Sequence, residues 1–346
     1  MKRIESLQAL RAIAFIAIFL SHCDVIATGP MGVSIFLVLS GFLLIHSAEK
    51  RKGTLMTGFA ENIRFATSKM KKLYPLHILT LLAMILFMLV SSEKQEYWVP
   101  KAVMNALLLQ AWFPSESWYL TFNKASWYLS VSAFTYFVFP FFYSIIQEKN
   151  RRALIYIGGG TALIIVLLSF LLNLIENGID SGLTKWLTYI FPVYRCWDMF
   201  MGMLLGKVFF QTKHRKTNKW TPTLLEIILL ILWTIQIYLY RRGYMIPNAF
   251  RFSVFWLPTS LLSVYVFAQK GGAITKLLTN RALVFVGNIS GIAFLVHQII
   301  IGVAKMASKN TWIIALSAFA ATLVVSYFYQ TVEKRVRGFV HAHRDA

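Results

Sequence analysis

The sequence is poor in cysteine, in acidic residues and in charge as a whole. Its two cysteines, Cys23 and Cys196, both lie in apolar stretches, so neither a disulfide framework nor a cysteine-based metal site is indicated, and no metal is expected. Charged residues make up 14 % of the 346 residues, against about 25 % in soluble globular domains. These shortages exclude a soluble enzyme, a coiled coil and a disordered chain.

Long apolar runs fill most of the chain instead. Hydrophobic residues make up 57 % of it, and the mean hydropathy is +0.60. A helix crosses a bilayer with about 20 apolar residues, so the runs predict an all-α polytopic membrane protein with about ten transmembrane helices. The candidate spans are residues 7–27, 31–48, 73–91, 127–146, 153–175, 187–210, 223–240, 251–268, 281–303 and 312–331.

A further apolar segment, residues 99–113, is too short to cross a bilayer comfortably and contains Lys101 and Asn105. We interpret it as a short re-entrant or interfacial segment. The remaining ten spans then place both termini on the same side of the membrane.

The basic residues support this topology and fix its orientation. With a cytoplasmic N-terminus, 24 of the 35 Lys and Arg fall in inner segments and 8 in outer ones, as the positive-inside rule requires. A spanning 99–113 segment would invert every later loop and largely remove the bias. The net charge of +21 therefore indicates anionic headgroups or an anionic cytoplasmic substrate as partners, and no nucleic acid. The first span lacks a cleavage site, and we expect it to be retained.

Ionisable side chains inside the spans are the first functional candidates, because they are costly in a bilayer. Arg11 and His22 are eleven residues apart in the first span, which puts them on one helix face about 16 Å apart. An Arg that reaches the headgroups and a His that only packs would explain the same pattern. Further polar residues are predicted at a depth similar to that of His22, although helix packing could account for any one of them. They are Asp24, Arg195, Asp198, Arg251 and His297.

Several short patterns, taken together, resemble the acyltransferase-3 family of integral-membrane enzymes that acylate carbohydrates of the bacterial cell surface. The resemblance covers essentially the whole chain. It is carried by Arg11 and His22 with ten residues between them, Ser40-Gly41-Phe42, Lys69-x-x-Lys72-Leu73-x-Pro75, Trp127-x-Leu129-Ser130, Arg195-x-x-Asp198, Gly287-x-x-Ser290 and His297. The chain departs from many relatives at Ser132-Ala133, where they carry paired glutamates.

The resemblance implies one integral-membrane domain over residues 1–346, with no appended soluble domain, in the bacterial cytoplasmic membrane. The implied reaction moves an acyl group, acetyl above all, from acetyl-CoA or another short acyl-CoA to a hydroxyl of a carbohydrate or lipid-linked glycan. His22 is the expected general base, because a sugar hydroxyl needs one at neutral pH, and Arg11 is the second catalytic candidate.

The phosphates of coenzyme A are expected at the inner basic cluster formed by Lys69, Lys71, Lys72 and Arg64. His297 or Asp198 could orient the His22 ring, and Asp24 could do so only where the helix ends. The supporting residues are Asp24, Ser40, Trp127, Arg195, Asp198 and His297.

Two other functions fit the same composition. A multi-span transporter, flippase or export subunit for a surface polysaccharide or its precursor would also carry ionisable residues within its spans. A structural subunit of a polysaccharide synthase would use them to hold helices together. The acceptor sugar, the acyl chain, the oligomeric state and the choice between direct transfer and an acyl-enzyme stay open at this point.

Overall fold

The structure, a computed structural model, describes residues 4–51, 58–91, 96–176, 181–212, 220–243 and 246–342. Over these residues the chain is helical and contains no strand. The helices, α1 to α16 in chain order, are Glu5–His22, Gly29–Arg51, Phe59–Met70, Tyr74–Val90, Trp98–Ala106, Glu116–Tyr119, Trp127–Ile146, Arg151–Glu176, Ser181–Lys185, Pro192–Thr212, Thr221–Arg241, Asn248–Arg251, Leu257–Gln269, Ala273–Leu278, Arg281–Ala307 and Thr311–Ala342. We call the end of the bundle where α1 begins the inner end, and the end where α1 finishes the outer end.

Six of these helices, namely α2, α7, α8, α11, α15 and α16, are long and apolar enough to cross a membrane. The bent pair α3–α4, whose axes meet at 68°, would make a seventh span. The other three predicted spans are present as helices, but α1, α10 and α13 are too short or too polar to qualify by length and composition. Most of α1 and α10 is buried among other helices, and a helix that faces protein rather than lipid can carry polar residues.

The predicted boundaries are wrong where loop geometry interrupts an apolar run. The first span was expected to reach residue 27, but α1 ends at His22 and Asp24 adopts a left-handed conformation with φ of 59°. The sixth span begins at Pro192 instead of 187, since a π-helix over Trp186–Ile190 precedes it. The eighth begins at Leu257, because residues 252–256 form turns after α12.

The segment near 99–113 forms no spanning helix. Its residues make the nine-residue α5 and a 3₁₀ turn, Gln110–Trp112, and the segment folds back against α4. The Tyr74 hydroxyl donates to the Ala106 carbonyl at 3.0 Å, and His77 Nε2 donates to the Asn105 carbonyl at 2.8 Å. The end of α5 therefore lies beside the first turn of α4 and is held there by two hydrogen bonds, of which the one from His77 is buried.

The centre of the bundle depends on close contacts at glycines. A Cβ atom on Gly41 of α2 would overlap the Met199 carbonyl of α10, and one on Gly202 of α10 would overlap the Val38 carbonyl of α2. Small residues allow helix backbones to approach this closely in membranes. Gly287 of α15 meets the backbone of α1 in the same way. The glycines thus bring α2, α10, α1 and α15 together around one core.

Candidate active site

Two histidines meet where α1 ends beside α15. The Nδ1 atom of His22 and the Nε2 atom of His297 are 2.8 Å apart, and the two rings lie almost parallel, 5.1 Å between centroids. His297 is completely buried, with Phe15 and Phe19 packed against its ring. His22 is half-buried. One imidazole is therefore held rigidly in the core while the other lies at the edge of it.

The hydrogen-bond partners assign a proton to each ring. His297 Nδ1 lies 2.7 Å from the Phe294 carbonyl oxygen, which only accepts, so this nitrogen carries a hydrogen. In the neutral ring the Nε2 atom of His297 is then an acceptor, and His22 Nδ1 must donate to it. That leaves the lone pair on Nε2 of His22, so the network assigns His22 the tautomer that a general base requires.

An outer cavity of about 490 Å³ lies between α4 and α15 and includes His22 in its wall. It combines a few polar side chains with a larger apolar surface. Its lining residues are His22, Ala83, Met84, Phe87, Phe122, Lys124, Gln298, Ile299, Ile301, Gly302, Val303, Lys305 and Met306. Two lysines and no carboxylate belong to this described lining, so the outer cavity favours an anionic or neutral ligand over a cationic one.

An inner cavity of about 90 Å³ surrounds Arg11. Arg11 lies on α1 nearer to the inner end than His22. Arg11 Nε donates to the Ser290 hydroxyl at 3.3 Å, and Ser290 donates to the Gly287 carbonyl at 2.8 Å. The lining residues are Arg11, Phe36, Ser40, Lys69, Met70, Leu73, Tyr128, Leu129, Ser132, Tyr136, Ser290, Gly291 and Phe294. The described lining thus joins two cations with several hydroxyls, and its small volume admits a narrow chain but no nucleotide.

Three aromatic rings pack against one another in the wall of the inner cavity. Phe36, Tyr128 and Phe294 all line the inner cavity, and their ring centroids lie 5.0 to 6.3 Å from one another. The Phe294 ring also contacts the His297 ring at 5.5 Å. Among the described residues, the two cavities share no lining side chain. We call these three rings the aromatic septum.

The structure brings only part of the predicted coenzyme A cluster to the inner cavity. Lys69 lines it and also lies over the Phe65 ring, 5.0 Å from its centroid. Arg64 and Lys71 are exposed at the inner surface, and Lys72 is half-buried near it. The cluster therefore extends from the inner surface to the cavity mouth, and its role in donor binding stays a prediction.

Two of the candidates to orient His22 are occupied elsewhere. Asp198 is fully buried in an ion pair with Arg195 at 3.0 Å, and it also accepts from the Ser253 hydroxyl at 2.7 Å. Asp24 pairs with Lys305 at 2.8 Å. The prediction that His297 could orient the ring fits the geometry, whereas the Arg195–Asp198 pair forms a separate cluster between α10 and the turn after α12.

Two more predicted supporting residues differ in position. Ser40 lines the inner cavity while its hydroxyl donates to the Phe36 carbonyl at 2.7 Å. Trp127 is buried against Tyr189, with 5.0 Å between the ring centroids, and lines neither of the two cavities described above. Ser40 therefore belongs to the site around Arg11, and Trp127 packs beside the septum residue Tyr128.

Sequence reasoning missed residues on α7 and near the outer cavity. Tyr128, Ser132 and Tyr136 are spaced by four residues, so one face of α7 presents three hydroxyls to the inner cavity. The described lining of this cavity contains no carboxylate. Lys124 and Gln298 belong to no recognised motif, so the sequence did not single them out. The only signal was that Lys124 lies three residues before the Trp127 pattern.

Comparisons with known proteins identify the family of the chain. Residues 4–330 match the acyltransferase-3 family, described as an acyltransferase domain. The chain belongs to the acyltransferase-3 family. It is 27 % identical over 231 residues to the acyltransferase MdmB of Streptomyces mycarofaciens, a match that covers 60 % of this chain and 57 % of the relative. No solved structure matches the chain.

The chain thus carries the acyltransferase domain of this family, together with several helices that are apolar enough to cross a membrane. Within the described residues, no group of three or more His, Cys, Asp or Glu side chains is placed to hold a metal ion.

Proposed function

We propose that this protein is a membrane O-acyltransferase that moves an acetyl group from acetyl-CoA to a hydroxyl of a cell-surface or lipid-linked carbohydrate. The observation that carries the proposal is the His22–His297 pair. The Phe294 carbonyl fixes the tautomer of His297, His297 in turn accepts from His22 Nδ1, and the Nε2 lone pair of His22 is left available. His22 also lies in the wall of an open cavity large enough for a sugar. A hydroxyl bound there would lie within reach of a base.

In the proposed reaction, His22 Nε2 removes the hydroxyl proton while the hydroxyl oxygen attacks the thioester carbonyl. The new C–O bond forms as the C–S bond breaks, and the proton passes from the imidazolium to the leaving sulfur of coenzyme A. His297 accepts a hydrogen bond from His22 Nδ1 throughout, which stabilises the positive charge that His22 gains. This is direct transfer without an acyl-enzyme, and it requires the rings of the aromatic septum to move apart, because the donor would enter through the inner cavity whereas His22 lines the outer one.

The donor would bind from the inner end. Arg11 and Lys69 carry positive charge at a cavity whose described lining holds no carboxylate, and such cations suit phosphate or a polarised thioester carbonyl. Because the cavity is narrow, it suits the arm and acyl group of the donor, and its volume of about 90 Å³ supports a short acyl chain. The nucleotide would remain at the surface near Arg64, Lys71 and Lys72.

We further propose ten membrane spans with both termini in the cytoplasm of a bacterial cell. The six qualifying helices and the α3–α4 pair supply seven, and α1, α10 and α13 add three that cross inside the bundle. This places Lys69 on the cytoplasmic side and His22 towards the opposite side. Family membership supports an enzyme over the transporter and the structural subunit.

The decisive test is the His22→Ala variant. Labelled acetyl groups would be followed from acetyl-CoA into the glycan fraction of inverted membrane vesicles from the producing strain. We expect transfer to fall by about 10² to 10⁴-fold, the usual contribution of a general base, while the amount of inserted protein is unchanged.

His46→Ala is the matched control. His46 is also an intramembrane histidine, but its ring stacks on Phe210, 4.9 Å between centroids, and it lines neither of the cavities described above. This variant should keep its activity. Full transfer by His22→Ala would refute the proposed base, and glycan export that depends on the protein without any acetylation would favour a transporter.

A further inference from the structure

The outer cavity has a wall that faces away from the bundle. Three apolar side chains that line it are largely exposed: Phe87 at 52 %, Val303 at 62 % and Met306 at 75 %. Phe87 belongs to α4 and the other two to α15, so the exposed surface lies along the seam between these helices. In a membrane, this seam would open sideways into the hydrocarbon region.

The polar side chains in the lining of the same cavity are His22, Lys124, Gln298 and Lys305, and two of them are basic. Lys124 is exposed near the start of α7, and Lys305 lies one turn from Ile301 on α15. The Lys305 ammonium group donates to Asp24 at 2.8 Å and to the His22 carbonyl at 3.3 Å, which holds it beside the catalytic ring. An anionic group in this cavity would therefore lie near Lys124 and near a Lys305 that already pairs with Asp24, and close to His22.

We propose that the acceptor is a lipid-linked sugar that enters sideways between α4 and α15. Its apolar chain would lie on the exposed wall, its phosphate between Lys124 and Lys305, and its sugar hydroxyl at His22 Nε2. This inference rests on the proposed function and its topology, and it narrows the acceptor to an amphipathic phosphate. A water-soluble glycan would leave the apolar wall uncovered, whereas burying apolar surface favours binding in proportion to its area.

Gly302 offers a way to fill the cavity without disturbing the fold. It lines the cavity, and a Cβ atom added to it meets no atom within 4 Å. Leucine also favours the helix more than glycine does. Gly160 of α8 is a matched control, since its added Cβ is equally unobstructed and it lines neither the outer nor the inner cavity.

Binding would be measured for the full-length protein in phosphatidylcholine nanodiscs, without acetyl-CoA, using farnesyl phosphate and farnesol as probes. We expect farnesyl phosphate to bind at least about tenfold more tightly than farnesol, and Gly302→Leu to weaken binding of the phosphate at least about tenfold. Gly160→Leu should bind like the wild type. Farnesyl phosphate should also protect His22 from modification by diethyl pyrocarbonate.

Lys124→Gln tests the charge. It should reduce the preference for phosphate over alcohol about threefold to tenfold, whereas Lys309→Gln, at the nearby α15–α16 turn, should not. Equal binding of farnesol and farnesyl phosphate, wild-type binding by Gly302→Leu, or displacement of the probe by an equal amount of phosphatidylglycerol would each overturn the proposal. Because no acyl transfer is measured, failure here is distinguishable from loss of activity in the His22 experiment.

Discussion

At the scale of single residues, the two histidines have different tasks because their surroundings differ. His297 is enclosed by aromatic rings and tied to its own helix by the Phe294 carbonyl, so its ring cannot turn. His22 is half-exposed to the outer cavity. Two imidazolium ions 2.8 Å apart would repel each other, so the pair holds at most one positive charge, and that charge arises on His22 when it accepts the substrate proton.

Substituting His297 tests whether it positions His22. His297→Ala should lower kcat by about 10²-fold or more with little change in KM, because the ring of His22 loses the acceptor that fixes its tautomer. His297→Gln should recover part of this loss, since its side-chain oxygen can accept from His22 Nδ1. Steady-state kinetics on both variants provide the measurement.

A purely structural role would give another pattern. Both His297 variants would then lose folded protein in parallel with activity, and the remaining enzyme would keep a normal kcat. An equally low kcat in the Gln and Ala variants, with normal abundance, would show that hydrogen-bond acceptance at this position is unimportant.

Part of this site could be read from the sequence and part could not. Helix periodicity alone places Arg11 and His22 on one face, because their spacing is close to three full turns. The partner of His22 lies 275 residues away, and only packing decides that His297, and not Asp198, reaches it. Asp198 was predicted at a depth in the membrane similar to that of His22. Depth alone does not determine which helices are neighbours in the bundle.

At the scale of helices, Gly287 sets the register of the active site. Its missing side chain lets α15 touch the backbone of α1 at Gln8. Farther along the same parallel pair, Arg11 meets Ser290 and His22 meets His297. The first two contacts join residues 279 positions apart and the third joins residues 275 positions apart, so the glycine contact sets the register at Arg11 directly and at His22 to within about one helical turn.

A side chain at Gly287 should therefore disturb the outer histidines, although they are more than two helical turns away. Gly287→Leu must push α1 from α15, and overpacking of this kind costs about 1 to 3 kcal/mol. We expect a lower melting temperature in detergent and loss of acetyl transfer. Gly159→Leu on α8, where an added Cβ meets nothing within 4 Å, is the control. Normal activity in Gly287→Leu would show that the register does not depend on this contact.

Helix boundaries show the limit of hydropathy as a guide to elements. The prediction for α7 was residues 127–146, and the helix occupies Trp127–Ile146, since polar or loop residues flank it on both sides. The run that was assigned to the first span includes Cys23 and Val25, which are apolar enough to extend a hydropathy window although they lie in a turn. The apolar content of a segment indicates that the segment is buried. A hydropathy window therefore cannot distinguish a buried turn from a buried helix.

At the scale of the whole molecule, the least lipid-like helices lie at the centre. α1 contacts α2, α13 and α15 and contributes Arg11, and α10 contributes the buried Arg195–Asp198 pair. Length and composition alone therefore select only six or seven spans. The distribution of basic residues among the loops detects these helices indirectly. Each helix that crosses the membrane changes the side on which every later loop lies.

Cysteine labelling tests the ten-span topology. Cys23 and Cys196 are 1 % and 3 % exposed, so the wild-type chain should react poorly with an impermeant maleimide. Thr67→Cys, on the exposed side of α3, should react only after the cells are permeabilised, and Lys309→Cys, between α15 and α16, should react in intact cells. Labelling of both positions from the same side would contradict the odd number of crossings that the proposed topology places between them, and with it the assignment of the inner and outer ends.

The aromatic septum has a consequence for the cell that contains this enzyme. A protein that receives one reactant from each side of a bilayer is at risk of conducting ions and protons between the two compartments. Here Phe36, Tyr128 and Phe294 pack together in the wall of the inner cavity, with Phe294 against His297, and packed rings at this place would interrupt a continuous file of water along which protons travel. Shrinking these rings should cost the cell its proton gradient, a toxicity distinct from the loss of a sugar modification.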